Sequence, residues 1–175
     1  MVLAASLPAS APRLATVILL CGETGSGKTT FAKRLAADEG AVHLCVDEWM
    51  IRMHGRALAP PAHRERLTAC FELLIDLAAA IASAGAPVVL DGGFWHRALR
   101  ARAQQRLRDL GLRTSLFYLK VPGDERWRRL EQRNRHLPEF DYEISREMFD
   151  EFARCFEPPL PEEGATVVEF VPPVG

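Results

Sequence analysis

Short, mostly hydrophobic runs alternate along the chain with longer segments in which hydrophobic residues recur every three or four positions. The short runs predict five β-strands, at residues 16–21, 42–46, 87–90, 115–121 and 166–171. The longer segments predict five α-helices, at residues 28–38, 63–84, 96–110, 123–133 and 144–156. Strands that alternate with helices in this way predict an α/β fold with a parallel sheet at its centre.

The segments between these elements set the expected domain boundaries. Residues 49–54 predict a short helix or loop, and the sequence APPAH that comes after it is expected to break the chain. A chain of 175 residues, 48% of them hydrophobic, suits one compact domain and leaves little room for a second core. We therefore expect a flexible arm at residues 1–13, rich in Ala, Pro and Ser, followed by a single domain at residues 14–175.

Composition argues against several classes of protein. The formal net charge is -1, so no overall field draws the chain to nucleic acid or to an anionic membrane. No segment approaches the ~20 consecutive apolar residues of a membrane-spanning helix. The amino-terminal segment superficially resembles a signal peptide, but it lacks a basic region and runs directly into a glycine-rich motif. The four cysteines lack disulfide or zinc spacing, so we expect buried, reduced thiols in a cytoplasmic protein.

One motif carries the strongest functional signal. Residues 22–29 (GETGSGKT) fit the pattern G-x-x-x-x-G-K-[ST] in full, between a buried strand and an amphipathic helix. Glycines let the backbone curl so that successive N–H groups point at phosphate oxygens, toward which the helix also directs its positive end. We expect Lys28 to bridge the β- and γ-phosphates of ATP and the Thr29 hydroxyl to ligate Mg²⁺. The predicted nucleotide-binding residues of this segment are Gly22, Glu23, Thr24, Gly25, Ser26, Gly27, Lys28, Thr29 and Thr30.

Two aspartates are expected at the carboxyl edge of the sheet, each ending a predicted strand: Asp47 (VHLCVDE) and Asp91 (PVVLDGG). A hydrolysing ATPase would use Asp47 for magnesium and Glu48 to activate water. In this fold, however, the third strand usually returns beside the first, which assigns the magnesium side to Asp91. Because Gly92 rather than glutamate follows Asp91, we expect Asp47 to accept or orient an acceptor hydroxyl. The alternative is that each aspartate only caps a helix.

Arginines at helical spacing occur in the predicted helix at residues 123–133. Arg126, Arg129 and Arg133 are spaced i, i+3 and i+7, so they share one helix face. Guanidinium groups that close over a triphosphate would neutralise the charge that develops during phosphoryl transfer. The alternative is a solvated face that pairs with Glu125 and Glu131.

The segments after the two aspartates are expected to leave the same edge of the sheet and to form an acceptor pocket. Paired glycines would let a substrate approach the backbone closely, and aromatic side chains would supply apolar walls. Alternatively, the aromatic residues seal the core. The predicted substrate residues are Asp47, Trp49, Arg52, Gly92, Gly93, Phe94, Trp95 and Arg97. Arg97 and Arg100 are the arginines of their helix nearest to Asp91 in sequence.

Taken in order, the phosphate loop, VDEWMIR, VVLDGGFWHR and RRLEQRN resemble the small P-loop kinases, which include chloramphenicol phosphotransferase, the zeta-toxin kinases and the 5′-hydroxyl polynucleotide kinase domain. The resemblance covers roughly residues 14–171. It implies a three-layer α/β/α fold with a five-stranded parallel sheet of order 2-3-1-4-5 and a small helical lid at about residues 126–145. It also implies that Asp47 matches the catalytic aspartate, that Arg129 and Arg133 match lid arginines that contact ATP, and that residues 156–159 (FEPP) lie near the adenine.

The sequence therefore predicts a kinase that uses ATP and Mg²⁺ to phosphorylate a small-molecule hydroxyl, with Lys28, Asp47, Arg129 and Arg133 as catalytic residues. The residues by which the family selects chloramphenicol, a UDP-sugar or DNA are not found, so the acceptor stays open. One alternative is a polynucleotide 5′-hydroxyl kinase, for which no extended basic channel is evident. Another is a nucleotide-binding ATPase or switch without a second substrate. We expect a monomer or a homodimer.

Overall fold

The computed structural model describes residues 16–57 and 60–171. The predicted arm at residues 1–13 lies outside them. In chain order the elements are β1 (Thr16–Cys21), α1 (Lys28–Glu39), β2 (Val42–Cys45), α2 (Val46–His54), α3 (Pro60–Ser83), β3 (Val88–Gly93), α4 (Arg97–Asp109), β4 (Arg113–Lys120), α5 (Gly123–Arg135), α6 (Arg146–Cys155) and β5 (Thr166–Glu169). A short 3₁₀ helix, Pro161–Glu163, precedes β5.

The five strands form one parallel sheet in the order β2-β3-β1-β4-β5. Because successive side chains of a strand point to opposite faces, the hydrophobic run of β1 fills two separate layers. Ile18 and Leu20 pack with α1 on one face. Val17 and Leu19 pack with α3 and α4 on the other. The predicted α/β fold, with helices on both faces and strand order 2-3-1-4-5, is confirmed.

The boundary between β2 and α2 differs from the prediction. Strand β2 ends at Cys45, and Val46 begins α2. Asp47 therefore lies in the first turn of a helix, not at the end of a strand, whereas Asp91 lies within β3 opposite Cys45. Two acidic residues in that first turn, Asp47 and Glu48, favour a helix start because they complement the positive end of the helix dipole.

Helix α3 begins inside the APPAH sequence that we expected to break the chain. Pro60 and Pro61 occupy its first turn, where the missing proline N–H groups would have had no partner within the helix. Of the cysteines expected to be buried, Cys155 is exposed, whereas Cys21, Cys45 and Cys70 are buried free thiols. No helix in the described ranges is both long and apolar enough to cross a membrane.

Candidate active site

The loop between β1 and α1 has the backbone geometry that its glycines predict. Gly25 and Gly27 have φ angles of 82° and 88°, a region that favours glycine. A Cβ atom on Gly25 would also lie 2.7 Å from the carbonyl oxygen of Arg126 and 3.0 Å from Leu130 Cγ. Helix α5 therefore packs directly against the loop, and glycine is needed there for two independent reasons.

Lys28, the first residue of α1, lies at the centre of the candidate site. Its Nζ donates a hydrogen bond to the carbonyl oxygen of Glu23 at 2.8 Å, which ties the lysine to its own loop. Burial lowers the pKa of Lys28, and the nearby carboxylates of Asp91 and Asp47 oppose that shift. The two aspartates that sequence reasoning selected therefore both act on this ammonium group.

Asp91 offers a buried carboxylate oxygen beside Lys28. The residue is 3% exposed, and its Oδ2 has no hydrogen-bond partner among the described residues. The Thr29 hydroxyl group is carried one position after Lys28, on the first turn of α1. A buried, unpaired carboxylate oxygen and a hydroxyl group are ligands that suit a hard cation. Thr29 and Asp91 therefore fit a bound Mg²⁺ ion.

Asp47 has a carboxyl group of different character. The residue as a whole is exposed, yet the protein around its carboxyl group reduces solvation and raises the pKa of Asp47 to about 6. The Asp91 carboxylate adds to this rise, and Lys28 opposes it. Smaller effects come from Asp141, which raises the pKa, and from Arg133, which lowers it. Asp47 therefore lies between the phosphate loop and the segment that follows α5.

Two arginines of α5 hold the phosphate loop. Arg126 is 6% exposed, forms an ion pair with Glu23 at 2.7 Å and donates to the carbonyl oxygen of Thr24 at 3.3 Å. Arg129 donates to the carbonyl oxygen of Ser26 at 3.2 Å. Arg126 therefore differs from Arg129 and Arg133, because its guanidinium is paired within the loop and largely shielded from solvent.

Arg133, the third arginine of that face, reaches the segment after α5. Its Nη2 donates to the carbonyl oxygen of Tyr142 at 2.8 Å, and its Nη1 lies 3.6 Å from Asp141 Oδ2. Its Nε is buried and has no hydrogen-bond partner among the described residues. Arg129 and Arg133 together therefore span the distance from the phosphate loop to residues near Asp47.

The aromatic residues after β3 contact other parts of the protein. Phe94 is fully buried, with a φ of 44°, and packs edge-on against Phe71 of α3. The indole N–H of Trp95 donates to the carbonyl oxygen of Gly22 at 3.2 Å. A Cβ atom on Gly92 would lie 2.5 Å from the Phe71 ring. Packing within the protein, and not the approach of a substrate, therefore accounts for this glycine and for Phe94.

Gly93 and two arginines of α4 make contacts within the protein. Gly93 has a φ of 75°, and a Cβ atom there would lie 2.9 Å from the indole nitrogen of Trp95. Arg97 pairs with Glu162 at 3.1 Å. Arg100 is fully buried and pairs with Glu163 at 2.6 Å. These two arginines therefore hold the segment before β5.

The remaining predicted substrate residues lie on α2, near Asp47. Trp49 is half-buried and packs against the core. Arg52 pairs with Glu48 at 2.8 Å, and its guanidinium lies 4.0 Å from the ring centroid of Phe140. Helix α2 therefore contacts the segment that follows α5.

Two residues that sequence reasoning missed complete this region. Arg56 donates to the carbonyl oxygens of Pro138, Glu139 and Asp141 at 2.6 to 2.9 Å, and so ties the segment after α5 to the end of α2. The Tyr142 hydroxyl is buried without a partner in the described structure, and burial, followed by the Asp47 charge, raises the pKa of Tyr142 to about 12. Neither residue could be identified from a local sequence pattern, because the role of each depends on contacts between distant segments.

Comparisons with known proteins agree with this geometry. The sequence matches the AAA_33 family, described as an AAA domain, over residues 17–159. No curated protein matches the sequence.

Three solved structures illustrate the shared fold. A candidate kinase from Chloroflexus aurantiacus J-10-fl has a TM-score of 0.72 at 20% identity, with 90% of this chain and 85% of that chain covered.

The other two are Kti12 from Chaetomium thermophilum and a gluconokinase from Sinorhizobium meliloti 1021. Kti12, in complex with ADP-AlF3, has a TM-score of 0.70 at 15% identity, with 88% of this chain and 89% of that chain covered. The gluconokinase has a TM-score of 0.65 at 17% identity, with 93% and 86% covered. Because the family match covers more than half of the chain and includes the complete phosphate-binding motif, the chain belongs to the AAA_33 family, with the nucleotide-binding fold of the small P-loop kinases.

Proposed function

We propose that this protein is a kinase, which binds ATP with Mg²⁺ and transfers the γ-phosphate to a hydroxyl group of a small-molecule acceptor. The observation that carries the proposal is the presence of two unlike carboxyl groups beside Lys28. Asp91 is buried with an unpaired oxygen, whereas Asp47 is exposed and has a pKa raised to about 6. Carboxyl groups in unlike environments can take separate roles, one to hold a cation and one to take a proton.

The nucleotide half of the proposed site consists of the phosphate loop and its neighbours. Backbone N–H groups of residues 22–30 and the positive end of α1 bind the phosphates, and Lys28 bridges the β- and γ-phosphates. Thr29 and Asp91 would hold a Mg²⁺ ion, which would neutralise phosphate charge. Arg129 already contacts the loop, and we assign it, with Arg133, to the charge that develops on the transferring group.

Asp47 acts on the acceptor in this proposal. It takes the proton of the acceptor hydroxyl while that oxygen bonds to the γ-phosphorus, and the bond from the γ-phosphorus to the bridging oxygen breaks. ADP leaves with the electron pair of that bond, next to the Lys28 ammonium. A carboxyl group with a pKa of about 6 is largely ionised at neutral pH, so it is ready to accept the proton. Gly92 follows Asp91, so no glutamate stands there to activate water.

The surroundings of Asp47 favour a small acceptor. Arg56 ties residues 138–141 to the end of α2, and Arg52 contacts Phe140 of the same segment. We propose that this segment, with most of α5, is the lid of the site, at about residues 126–145. A cover that contacts the helix carrying Asp47 leaves little space for a polymer to pass.

The decisive experiment measures ADP release in a coupled assay across a panel of hydroxyl compounds. The solved neighbours justify including gluconate and an oligonucleotide with a 5′-hydroxyl, since they include a gluconokinase and a component of an RNA repair complex. Wild type is compared with Asp47→Asn, and Asp38→Asn, an exposed aspartate of α1, is the charge-matched control. We expect one acceptor to stimulate turnover, and Asp47→Asn to lower that rate by about 10²- to 10⁴-fold.

Binding of a fluorescent ATP analogue separates chemistry from nucleotide binding in the same experiment. Asp47→Asn should bind the analogue nearly as well as wild type, because Lys28 and the loop remain. Equal basal hydrolysis in wild type and Asp47→Asn, with no stimulation by any acceptor, would sink the kinase proposal in favour of a nucleotide switch. Stimulation by the oligonucleotide alone would overturn the small-molecule part of it.

A further inference from the structure

A cluster of side chains that shares Asp91 with the candidate active site lies on the face of the sheet that α1 covers. His43 and Cys45 are two residues apart in β2, so their side chains share a face. Cys45 pairs in register with Asp91 of the neighbouring strand β3. One ligand atom from each of these three residues lies within 4.8 Å of the other two. The parallel register therefore assembles a nitrogen, a sulfur and an oxygen donor at one place.

Two of these donor atoms lack the partners that buried polar atoms normally have. His43 Nε2 and Asp91 Oδ2 are both buried, and neither has a hydrogen-bond partner in the described parts of the chain. They are 3.6 Å apart, too far for a good hydrogen bond with each other. Two ligand atoms bound to one tetrahedral zinc ion at about 2.0–2.1 Å are separated by roughly 3.4 Å. The observed separation is thus close to that required by a shared metal ion.

We propose that His43, Cys45 and Asp91 bind a thiophilic divalent cation of the Zn²⁺ class. Imidazole, thiolate and carboxylate are all zinc ligands, whereas Mg²⁺ prefers oxygen ligands alone. Binding replaces the Cys45 thiol proton, which is released to solvent, so the cation and the new thiolate together add one positive charge. The His43 side chain is 15% exposed, which gives the cation a way in.

The test uses Co²⁺ as a spectroscopic substitute for Zn²⁺ and needs no kinase assay. Wild-type protein is titrated with Co²⁺ in the presence of excess Mg²⁺, and absorbance is followed in the near ultraviolet, where thiolate-to-cobalt charge transfer appears. The exposed thiol of Cys155 supplies the matched control, Cys155→Ala. The variants that remove ligands are Cys45→Ala, Cys45→Ser and His43→Gln, each checked for folding by circular dichroism and thermal melting.

We expect wild type and Cys155→Ala to bind one Co²⁺ per chain with a charge-transfer band, and Zn²⁺ to abolish that band by displacement. The band should be absent from Cys45→Ala, or from Cys45→Ser if the alanine variant does not fold. His43→Gln should bind more weakly by at least the 10- to 100-fold that loss of an outer-shell partner costs a metal site. A folded Cys45 variant that keeps the band, or a wild type that shows none, overturns the site. Asp91 is also assigned to Mg²⁺ in the proposed function, so the titration is read from the thiolate band alone, and kinase activity is measured separately.

Discussion

Arg100 of α4 is a fully buried cation that joins two segments beside the site. Its Nε and Nη2 donate to Glu163 at 2.6 and 2.8 Å. Its Nη1 donates to the carbonyl oxygens of Phe94, Trp95 and Glu157 at 2.9 to 3.1 Å. These bonds hold the segment after β3 against the segment before β5, so their loss should lower the free energy of unfolding of the whole domain.

Replacing Arg100 with methionine keeps much of the side-chain volume and removes all of these donors. Glu163, whose side chain is 8% exposed, is then left as a buried charge without its partner. Breaking a buried ion pair by removing one member costs about 3–5 kcal/mol. Since three carbonyl groups also lose a donor, we expect a loss near the upper end of that range. For a chain of this length, that corresponds to a fall in Tm of roughly 10–20 °C.

Urea unfolding followed by circular dichroism measures the effect, with two further variants as controls. The double variant Arg100→Met/Glu163→Leu should recover much of the lost free energy of unfolding, because no charge is then left buried alone. The Arg100 hydrogen bond holds the pKa of Glu163 below its usual range. A lowered carboxyl pKa stabilises the fold above the pKa of the unfolded chain, and that contribution is lost as the pH falls through the lowered value. Arg100→Met should lack this acid-sensitive contribution.

Three outcomes would refute this reasoning about Arg100. A loss of less than about 1 kcal/mol for Arg100→Met would match an exposed ion pair and not a buried one. A double variant no more stable than Arg100→Met would show that the unpaired Glu163 charge is not the cause. An unchanged acid limb in Arg100→Met would separate Glu163 from Arg100 altogether.

Two other predictions concern the loop and Asp47. Gly25→Ala should lower the free energy of unfolding by more than Gly40→Ala. Both glycines have positive φ, so backbone strain costs each variant about 1–2 kcal/mol. A Cβ atom at position 25 would also lie 2.7 Å from the Arg126 carbonyl oxygen, whereas one at position 40 would meet nothing within 4 Å. Equal losses in urea unfolding would show that α5 does not press on the loop. Acceptor-stimulated turnover should fall as the pH drops through about 6, because Asp47 becomes protonated and cannot take the hydroxyl proton. The pH–rate profile of wild type is compared with that of the residual activity of Asp47→Asn. If both profiles fall at the same acidic pH, a group other than Asp47 causes the fall.

The phosphate loop was predictable because its signal is local, and the strand order because the resemblance to the small P-loop kinases implies it. Strand β1 is apolar after Thr16, and the loop glycines occur at fixed spacing. The end of β2 was not predictable in the same way. The run at residues 42–46 is apolar apart from His43 and is too short to show a period that separates strand from helix. Val46 is buried in its helix as it would be in a strand.

The candidate site was predictable as a location and less so in its detail. Lys28, Asp47 and Asp91 were selected from sequence order alone, and the structure brings their charges together. The reason for Gly92 could not be found in the sequence, because it depends on Phe71, which reaches it from α3. Arg100 was singled out only because it is near Asp91 in sequence. Its burial and its pairing with Glu163 could not be found in that way, because Glu163 lies far along the chain and is placed beside it by the fold.

Trp95 is placed to report on nucleotide binding at the phosphate loop through its fluorescence. Its indole donates to the carbonyl oxygen of Gly22, the first residue of the loop motif, and its ring packs against Phe152 of α6 with centroids 5.0 Å apart. Indole emission changes with hydrogen bonding and with the polarity around the ring, so this residue is a built-in optical reporter. The chain has three tryptophans, and replacing Trp49 and Trp127 with phenylalanine would leave Trp95 as the sole emitter. Nucleotide arrival could then be timed without attaching a dye to either molecule.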